Sequence, residues 1–239
     1  MPIKVNPLNT EPKSENFLIA SFQDFISLIY PDTCCCCETA LAKAEMHICL
    51  SCEIALPIII DQTIVGNKFM GKIPYHTSVA LYQYAKLNSV QNLVDEIKYK
   101  NNQELALYLG QKMGKKLIDK SFDNYDGIVP VPLHQSKQKK RGYNQSELLA
   151  KGMSETCGLP IFTQLLTRTK ATETQTLKQR FARWTNVETV FSANEKVQGM
   201  KLILLDDVLT TGATLVACAE SLLKKGSTEI SFMALASAV

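Results

Sequence analysis

No stretch of this 239-residue chain stays apolar long enough to cross a bilayer. The longest candidate, Ile54 to Val65, is interrupted by Pro57, Asp61 and Gln62. The opening residues, MPIKVNPLNTEPKSEN, hold no apolar core segment of the kind a secretory leader needs, so the expectation is a cytoplasmic protein with no membrane partner. An excess of one charge is missing too. Twenty-six Lys and Arg stand against 23 Asp and Glu, and a net charge of +3 creates no global field that asks for nucleic acid. No internal repeat is visible, which excludes the stacked-repeat architectures.

What is present suits a globular α/β protein. Hydrophobic residues make up 46% and charged residues 21%, enough for a core without a large partner. Residues 1–16 read as a tail. From Phe17 to Tyr30 the residues Leu18, Phe22, Phe25 and Ile29 follow helical spacing, and Pro31 ends the segment. Residues 53–78 read as a connector. Residues 79–85, VALYQYA, alternate like a strand. Two helices are predicted next, one on Val90, Leu93, Val94 and Ile97, the other on Leu105, Leu109, Met113 and Leu117. Gly127 to Pro132 reads as a short strand, and Asn144 with Glu147 resembles a capping box opening a helix on Leu149, Met153 and Cys157. Near the C-terminus a wholly apolar strand, Lys201 to Leu205, precedes a helix on Leu215, Cys218, Ala219 and Leu222 with Gly226 as its cap. A strand from Thr228 to Leu235 completes a β-α-β unit of a parallel sheet.

Six of the eight cysteines fall between Cys34 and Cys52. A disulfide framework would spread them along the chain, so a metal site explains the cluster better. Cys34-x-x-Cys37 and Cys49-x-x-Cys52 are two knuckles, eleven residues apart, that together supply four thiolates for tetrahedral Zn²⁺ in a closed, structural site. Cys35, Cys36 and His47 sit within or beside the knuckles, so the spacing alone leaves the ligand register open.

The sharpest motif is Leu204-Leu-Asp206-Asp207-Val-Leu-Thr210-Thr211-Gly212-Ala213-Thr214. An apolar strand delivers it to the carboxyl edge of the sheet, where open α/β folds bind ligands. Thr210 to Thr214 then turn into a helix whose free N–H groups and dipole favour a phosphate. Gly212 permits close backbone approach, and the threonines add hydroxyl donors. No cation stands inside the loop. Asp206 and Asp207, expected at the strand end and facing solvent, suit ribose hydroxyls and, directly or through water, Mg²⁺. The plain alternative is a capped helix after an acidic strand end.

The run ILLDDVLTTGAT resembles the signature of type I phosphoribosyltransferases, in which the acidic pair contacts the ribose hydroxyls of phosphoribosyl pyrophosphate (PRPP) and the threonine-glycine loop holds its 5-phosphate. A second set of segments resembles the ComF family: Val129-Pro-Val-Pro-Leu-His134, Arg141-Gly-Tyr-Asn-Gln145, Leu165-Leu-Thr-Arg168, Thr174-Gln175 with Leu177, Arg183-Trp-Thr-Asn-Val187 with Phe191, and upstream Leu81-Tyr-Gln-Tyr84 with Ile97-Lys-Tyr-Lys100. This resemblance spans roughly residues 30–239. It implies a Rossmann-like phosphoribosyltransferase domain with a mainly parallel sheet, an N-terminal zinc finger on the outer cysteine pairs (Cys34, Cys37, Cys49, Cys52), and a bacterial role in competence and the handling of incoming DNA.

The expected layout is a tail (1–16), a helix and zinc module (17–60), and a phosphoribosyltransferase-like domain (61–239) in which 79–120 form a hood or edge elaboration. The expected ligand site joins Asp206, Asp207, Thr210, Thr211, Gly212, Ala213 and Thr214 to a flexible basic loop with Lys137, Lys139, Lys140 and Arg141. That loop matches the pyrophosphate-binding position of the family. Alone it reads as a solvated charge run. Beside a phosphate motif it could stabilise leaving pyrophosphate, and the forked guanidinium of Arg141 suits two oxygens at once. His134 fits a capping role. Arg168, Lys170, Lys178, Arg180 and Arg183 lie where family members place a lid. The rival reading is a track for single-stranded DNA with Trp184, Phe181 and Tyr143 as stacking candidates, and the plain reading puts Trp184 and Phe181 in the core. Three functions stay open: a PRPP-binding transferase-like protein of DNA uptake, a non-catalytic single-strand or nucleotide binder working with competence proteins, and a nucleotide salvage enzyme. No base-recognition element is identifiable.

Overall fold

The computed structural model describes residues 31–118, 124–168 and 190–238, with the side chains of Gln135, Lys137 and Lys140 set aside. The predicted tail, the helix over 17–30, and the lid and stacking residues Lys170, Lys178, Arg180, Phe181, Arg183 and Trp184 lie outside them. The chain divides into two compact units between Glu53 and Ile54.

In the first unit, the backbone turns at the cysteine knuckles. Thr33 bridges Ala40, and Cys35 N donates to His47 O at 2.9 Å. A short helix, α1 (Leu50–Ala55), begins within the second knuckle.

The second unit is built on four strands: β1 (Ser78–Tyr84), β2 (Gly127–Pro130), β5 (Lys201–Leu209) and β6 (Glu229–Ala238). All pairings are parallel, in the order β1-β6-β5-β2. The inner strands read as nearly continuous apolar runs because both faces are covered. Leu202, Ile203, Leu204, Leu205, Phe232 and Leu235 are at most 1% exposed. Neither edge is left open. Residues 57–59 pair antiparallel to β1, with Ile59 N to Leu81 O at 2.8 Å, and residues 160–162 pair parallel to β2, with Ile128 N to Pro160 O at 2.9 Å.

The helices are α2 (Thr63–Gly66), α3 (Ser89–Tyr99), α4 (Gln103–Ile118), α5 (Gln135–Arg141), α6 (Gln145–Cys157) and α7 (Ala213–Lys224). A small antiparallel pair, β3 (Leu166–Arg168) and β4 (Phe191–Ala193), stands apart from the main sheet. Asn88 caps α3 through Gln91 N. α7 ends in a Schellman turn, with Ser227 N to Leu222 O and Gly226 N to Leu223 O around Gly226 at φ +95°. α4 and α6 cross at backbone contact, since a Cβ on Gly152 or Gly110 would collide with the carbonyls of Leu107 or Leu149.

Three expectations change. Residues 53–78 are more than a connector: they hold α2 and Phe69, which is fully buried and stacks on Phe232 with centroids 4.0 Å apart. These apolar residues carry no helical or strand period. The basic segment expected as a flexible loop is helix α5, started by His134, whose Nδ1 accepts from Ser136 N, and ended by Gly142 at φ +83°. Finally, β5 runs on to Leu209, because β6 keeps pairing it as far as Ser237 while β2 stops at Pro130 opposite Leu205. Pro132 has no N–H to continue β2.

Candidate functional site

The unequal ends of β2 and β6 create the site. Past Leu205, β5 loses its neighbour on one side, and Asp206 and Asp207 lie inside the strand where that edge opens. A cleft of about 150 Å³ forms there, lined by Lys98, Val131 to Leu133, Arg141, Gln145, Ser146, Arg168, Asp206, Asp207 and Thr214. The wall residues that face the acidic pair sit at the ends of elements: Lys98 in the last turn of α3, Arg141 at the end of α5, Gln145 and Ser146 at the start of α6, Arg168 at the end of β3 and Thr214 in the first turn of α7.

Asp207 does not face solvent as its place in the motif suggests. It is buried, and its Oδ2 takes a 3.1 Å ion pair from Lys98 Nζ and a 2.8 Å hydrogen bond from Gln145 Nε2. Its Oδ1 accepts from Val208 N. Alternation along a strand sends one of two adjacent side chains inward, which the motif alone does not reveal. Asp206 is partly exposed. Its Oδ1 accepts from Ser146 Oγ at 3.3 Å and Asp207 N at 2.9 Å. Burial among protein groups, followed by the charge of Asp207, pushes the Asp206 carboxyl up to about 7, against the pull of the Asp207 N–H, Lys98 and Ser146. The described hydrogen bonds of Asp206 use Oδ1, which leaves Oδ2 for a cation or a hydroxyl.

The glycine of the phosphate motif has a definite job. Gly212 is the N-cap of α7 at φ +81° and offers no side-chain cap, Thr211 Oγ1 accepts from Ala213 N at 3.4 Å, and a Cβ at Gly212 would meet Phe69 at 3.1 Å. The first turn of α7 therefore presents backbone N–H groups past Thr210 to Thr214, the arrangement that suits an anion. Lys72 Nζ, from the segment read as a connector, reaches Thr211 O at 3.3 Å. A cation thus lies beside a loop that contains none.

Of the basic residues proposed, Arg141 is in the cleft wall, with its guanidinium 5.3 Å from the Tyr99 ring centroid. Lys139 is exposed on α5. The structure brings in Lys98 and Arg168 beside Arg141, so three cations face the acidic pair. Lys98 stood in the segment Ile97 to Lys100 with no role attached, and the Lys98–Asp207 contact spans 109 residues that no local pattern connects. Tyr143, a stacking candidate, instead donates its hydroxyl to the Ile97 carbonyl. The capping box is altered: Asn144 Oδ1 accepts from Ser146 N, while its Nδ2 bonds the Glu147 carboxylate and the Val131 carbonyl, tying α6 to the end of β2.

In the first unit, the sulfurs of Cys34, Cys37, Cys49 and Cys52 lie within 4.8 Å of one another. All are free thiols. Backbone N–H groups point at the sulfurs: Cys36 N and Cys49 N at Cys34 Sγ (3.4 and 3.3 Å), and Cys52 N at Cys49 Sγ (3.5 Å). Such bonds favour thiolates, and hydrogen bonding with Thr39 brings Cys37 down to about 6, whereas Cys49 is raised and burial pushes Cys52 up. Cys36 is pushed up to about 12, first by burial, and stays outside the cluster, as do Cys35 and His47. The four-sulfur group fits a tetrahedral metal ion.

Residues 136–238 match the family described as phosphoribosyl transferase domain. With a parallel sheet, an acidic pair on an inner strand and a glycine-capped helix start beyond it, this unit is a phosphoribosyltransferase-type α/β domain. Competence protein F of Haemophilus influenzae is 32% identical over 182 residues, covering 72% of this chain and 78% of that protein. The DNA utilization protein YhgH of Escherichia coli (strain K12) is 28% identical over 219 residues, 85% of this chain and 96% of its own. The competence protein ComFC of Bacillus subtilis (strain 168) is 26% identical over 205 residues, 83% and 82%. The chain belongs to the ComF family.

Proposed function

We propose that the cleft binds PRPP together with Mg²⁺, in a cytoplasmic protein of DNA uptake or handling. The observation that carries this reading is the meeting of three cations, Lys98, Arg141 and Arg168, with the acidic pair and the glycine-capped start of α7 in one cleft. The 5-phosphate sits on the N–H groups and hydroxyls of Thr210 to Thr214. Asp206 and Asp207 take the ribose hydroxyls, and the pyrophosphate faces Arg141 and its neighbours, with Lys139 and Lys140 nearby in sequence. When bound, Mg²⁺ supplies neutralising charge to the pyrophosphate oxygens, and Asp206 Oδ2 suits a contact to it, directly or through water. If an acceptor is present, its lone pair forms the new bond at the anomeric carbon while the C–O bond to pyrophosphate breaks, and the cations stabilise the charge that develops on the leaving group. The four thiolates hold a structural Zn²⁺.

Calorimetry of Mg²⁺-PRPP binding tests the ligand. Asp206→Asn with Asp207→Asn should abolish binding, and unchanged affinity in a folded double variant sinks the assignment. Pyrophosphate release over a panel of nucleobases and amines then tests for turnover.

A second reading starts from relatives named for DNA utilization and competence: the scaffold handles DNA, as single strands and without turnover. Replacing Lys139, Lys140 and Arg141 by Ala should then flatten the salt slope of single-strand binding by roughly two units, for three lost phosphate contacts, and PRPP should compete with DNA. Weak single-strand binding that PRPP does not displace favours the first reading.

A further inference from the structure

Gln145 opens α6 and is only 3% exposed. Its Nε2 donates to Asp207 Oδ2 at 2.8 Å, and this bond fixes which way the amide points, because the flipped amide would set a carbonyl oxygen against a carboxylate. The position of Oε1 follows from it. Among the described residues, Gln145 Oε1 is the one buried side-chain polar atom without a hydrogen-bond partner. Leaving a buried acceptor without a partner is costly. Holding Asp207 in place uses only the donor half of the amide, so the protein's own contacts give no reason for the acceptor half. Such an atom calls for a partner: a bound water, an ion or a ligand.

The surroundings define that partner. Gln145 shares the cleft wall with Lys98, Ser146, Asp206 and Asp207. A group entering here must give a hydrogen to Oε1 and offer a lone pair to the Lys98 ammonium. A hydroxyl does both, whereas an ammonium has no lone pair to give and a phosphate oxygen has no hydrogen. Resting on the phosphoribosyl reading above, we propose that Gln145 is a specificity-determining residue whose Oε1 takes the hydrogen of the ribose 2-hydroxyl. The 2-hydroxyl is the one next to the anomeric carbon, and Gln145 shares Asp207 Oδ2 with Lys98, which lies on the cation side where the anomeric substituent goes. Oε1 is closed to solvent in the ligand-free cleft. Entry of the hydroxyl requires the Lys98 side chain, which shares Asp207 Oδ2 with the Gln145 amide, to turn toward the ligand's anion. The cleft therefore takes ribosyl 5-phosphates and discriminates against 2-deoxyribosyl 5-phosphates, which include the 5′ end of a DNA strand. A protein that handles DNA would in this way keep its metabolite site from being occupied by the sugar of DNA.

The test is calorimetric binding of ribose 5-phosphate and 2-deoxyribose 5-phosphate to the full chain and to Gln145→Met. The wild type should prefer the ribose form by about tenfold or more, because a site built around a hydroxyl rejects the analogue that lacks it. Gln145→Met should bring the two affinities within about twofold, with ribose binding weakened more than deoxyribose binding. If the wild type binds both sugars equally, or if the variant weakens both alike, the proposal is overturned while the cleft remains a sugar-phosphate site. If the wild type binds neither sugar, the phosphoribosyl reading fails and the proposal falls with it. Thermal melting checks that the variant is folded. Should Gln145→Met not fold, Gln145→Ala is read by the same ratio and the same outcomes.

Discussion

The four thiols of the N-terminal unit come from one stretch of chain, Cys34 to Cys52, while the groups around the cleft come from α3, α5, α6, β3, β5, α7 and the turn after β2. Local turns suffice to gather the thiols once a metal is there to bind them. The cleft exists only when the sheet is complete, because its opening is the gap left where β2 ends and β6 continues. On the zinc reading proposed above, the stability of the first belongs to the ion and that of the second to the core. The two regions should fail independently and for different reasons.

Metal removal gives the largest expected effect. Purified protein should carry about one zinc per chain. Cys37→Ser or Cys49→Ser should lose it, and Cys157→Ser, in α6, should keep it. Apparent binding free energies of about 10–16 kcal/mol for structural zinc mean that chelation should unfold the module, seen as lost hydrogen-exchange protection. Ribose 5-phosphate binding should survive within about twofold, as expected for independent sites. Loss of cleft binding on chelation would break the comparison.

Next in size is the ion pair. Asp207→Asn removes the counter-charge of Lys98, whose side chain is 19% exposed, and should cost roughly 2–3 kcal/mol in urea unfolding, less than for a fully buried pair. Adding Lys98→Met should recover most of that loss, and an additive double variant would show that the pair does not couple. Gly212→Ala should cost about 1–2 kcal/mol from the left-handed φ alone, and should weaken phosphate binding more than it weakens the fold. Titration of the variant with inorganic phosphate checks this.

The smallest effect has the opposite sign. Folding raises the Asp206 carboxyl from 3.8 to about 7, so the folded protein holds a proton that the unfolded chain releases, and stability falls as pH rises through that window. Asp206→Asn removes this loss. It should add nothing near about pH 4 and about 1 kcal/mol above about pH 8, a figure discounted for the carboxyl's partial exposure. Melting temperature should then rise by roughly 2–4 °C at the higher pH. A gain that is the same at both pH values would mean that the carboxyl is not strained by its surroundings. A stabilised protein that no longer binds its ligand is the expected trade between stability and function.

Much of this was legible in residue order. The knuckle spacing points to a cysteine metal site and leaves its register open, and the structure gathers the outer pairs while leaving Cys35, Cys36 and His47 aside. The apolar run before Asp206 and the period of Leu215, Cys218, Ala219 and Leu222 define β5 and α7, since burial on both faces of a parallel sheet writes itself as a continuous apolar run. His134, expected only to cap or hydrogen-bond a loop, caps helix α5. The misreadings also have a common cause. α5 looked like a loop because a run of Lys and Gln carries no apolar period, and Phe69 looked like connector because a single buried ring has none either.

Sequence by itself determined the elements, the metal-ligand spacing and the phosphate motif, because each is set by neighbours a few residues apart. Tertiary structure decided which carboxylate is buried, which cations face it and that Gln145 Oε1 lacks a partner. Lys98 meets Asp207 across 109 residues, and Gln145 meets it across 62. Contacts at that range follow from strand order and from where β2 stops, and no local period encodes them.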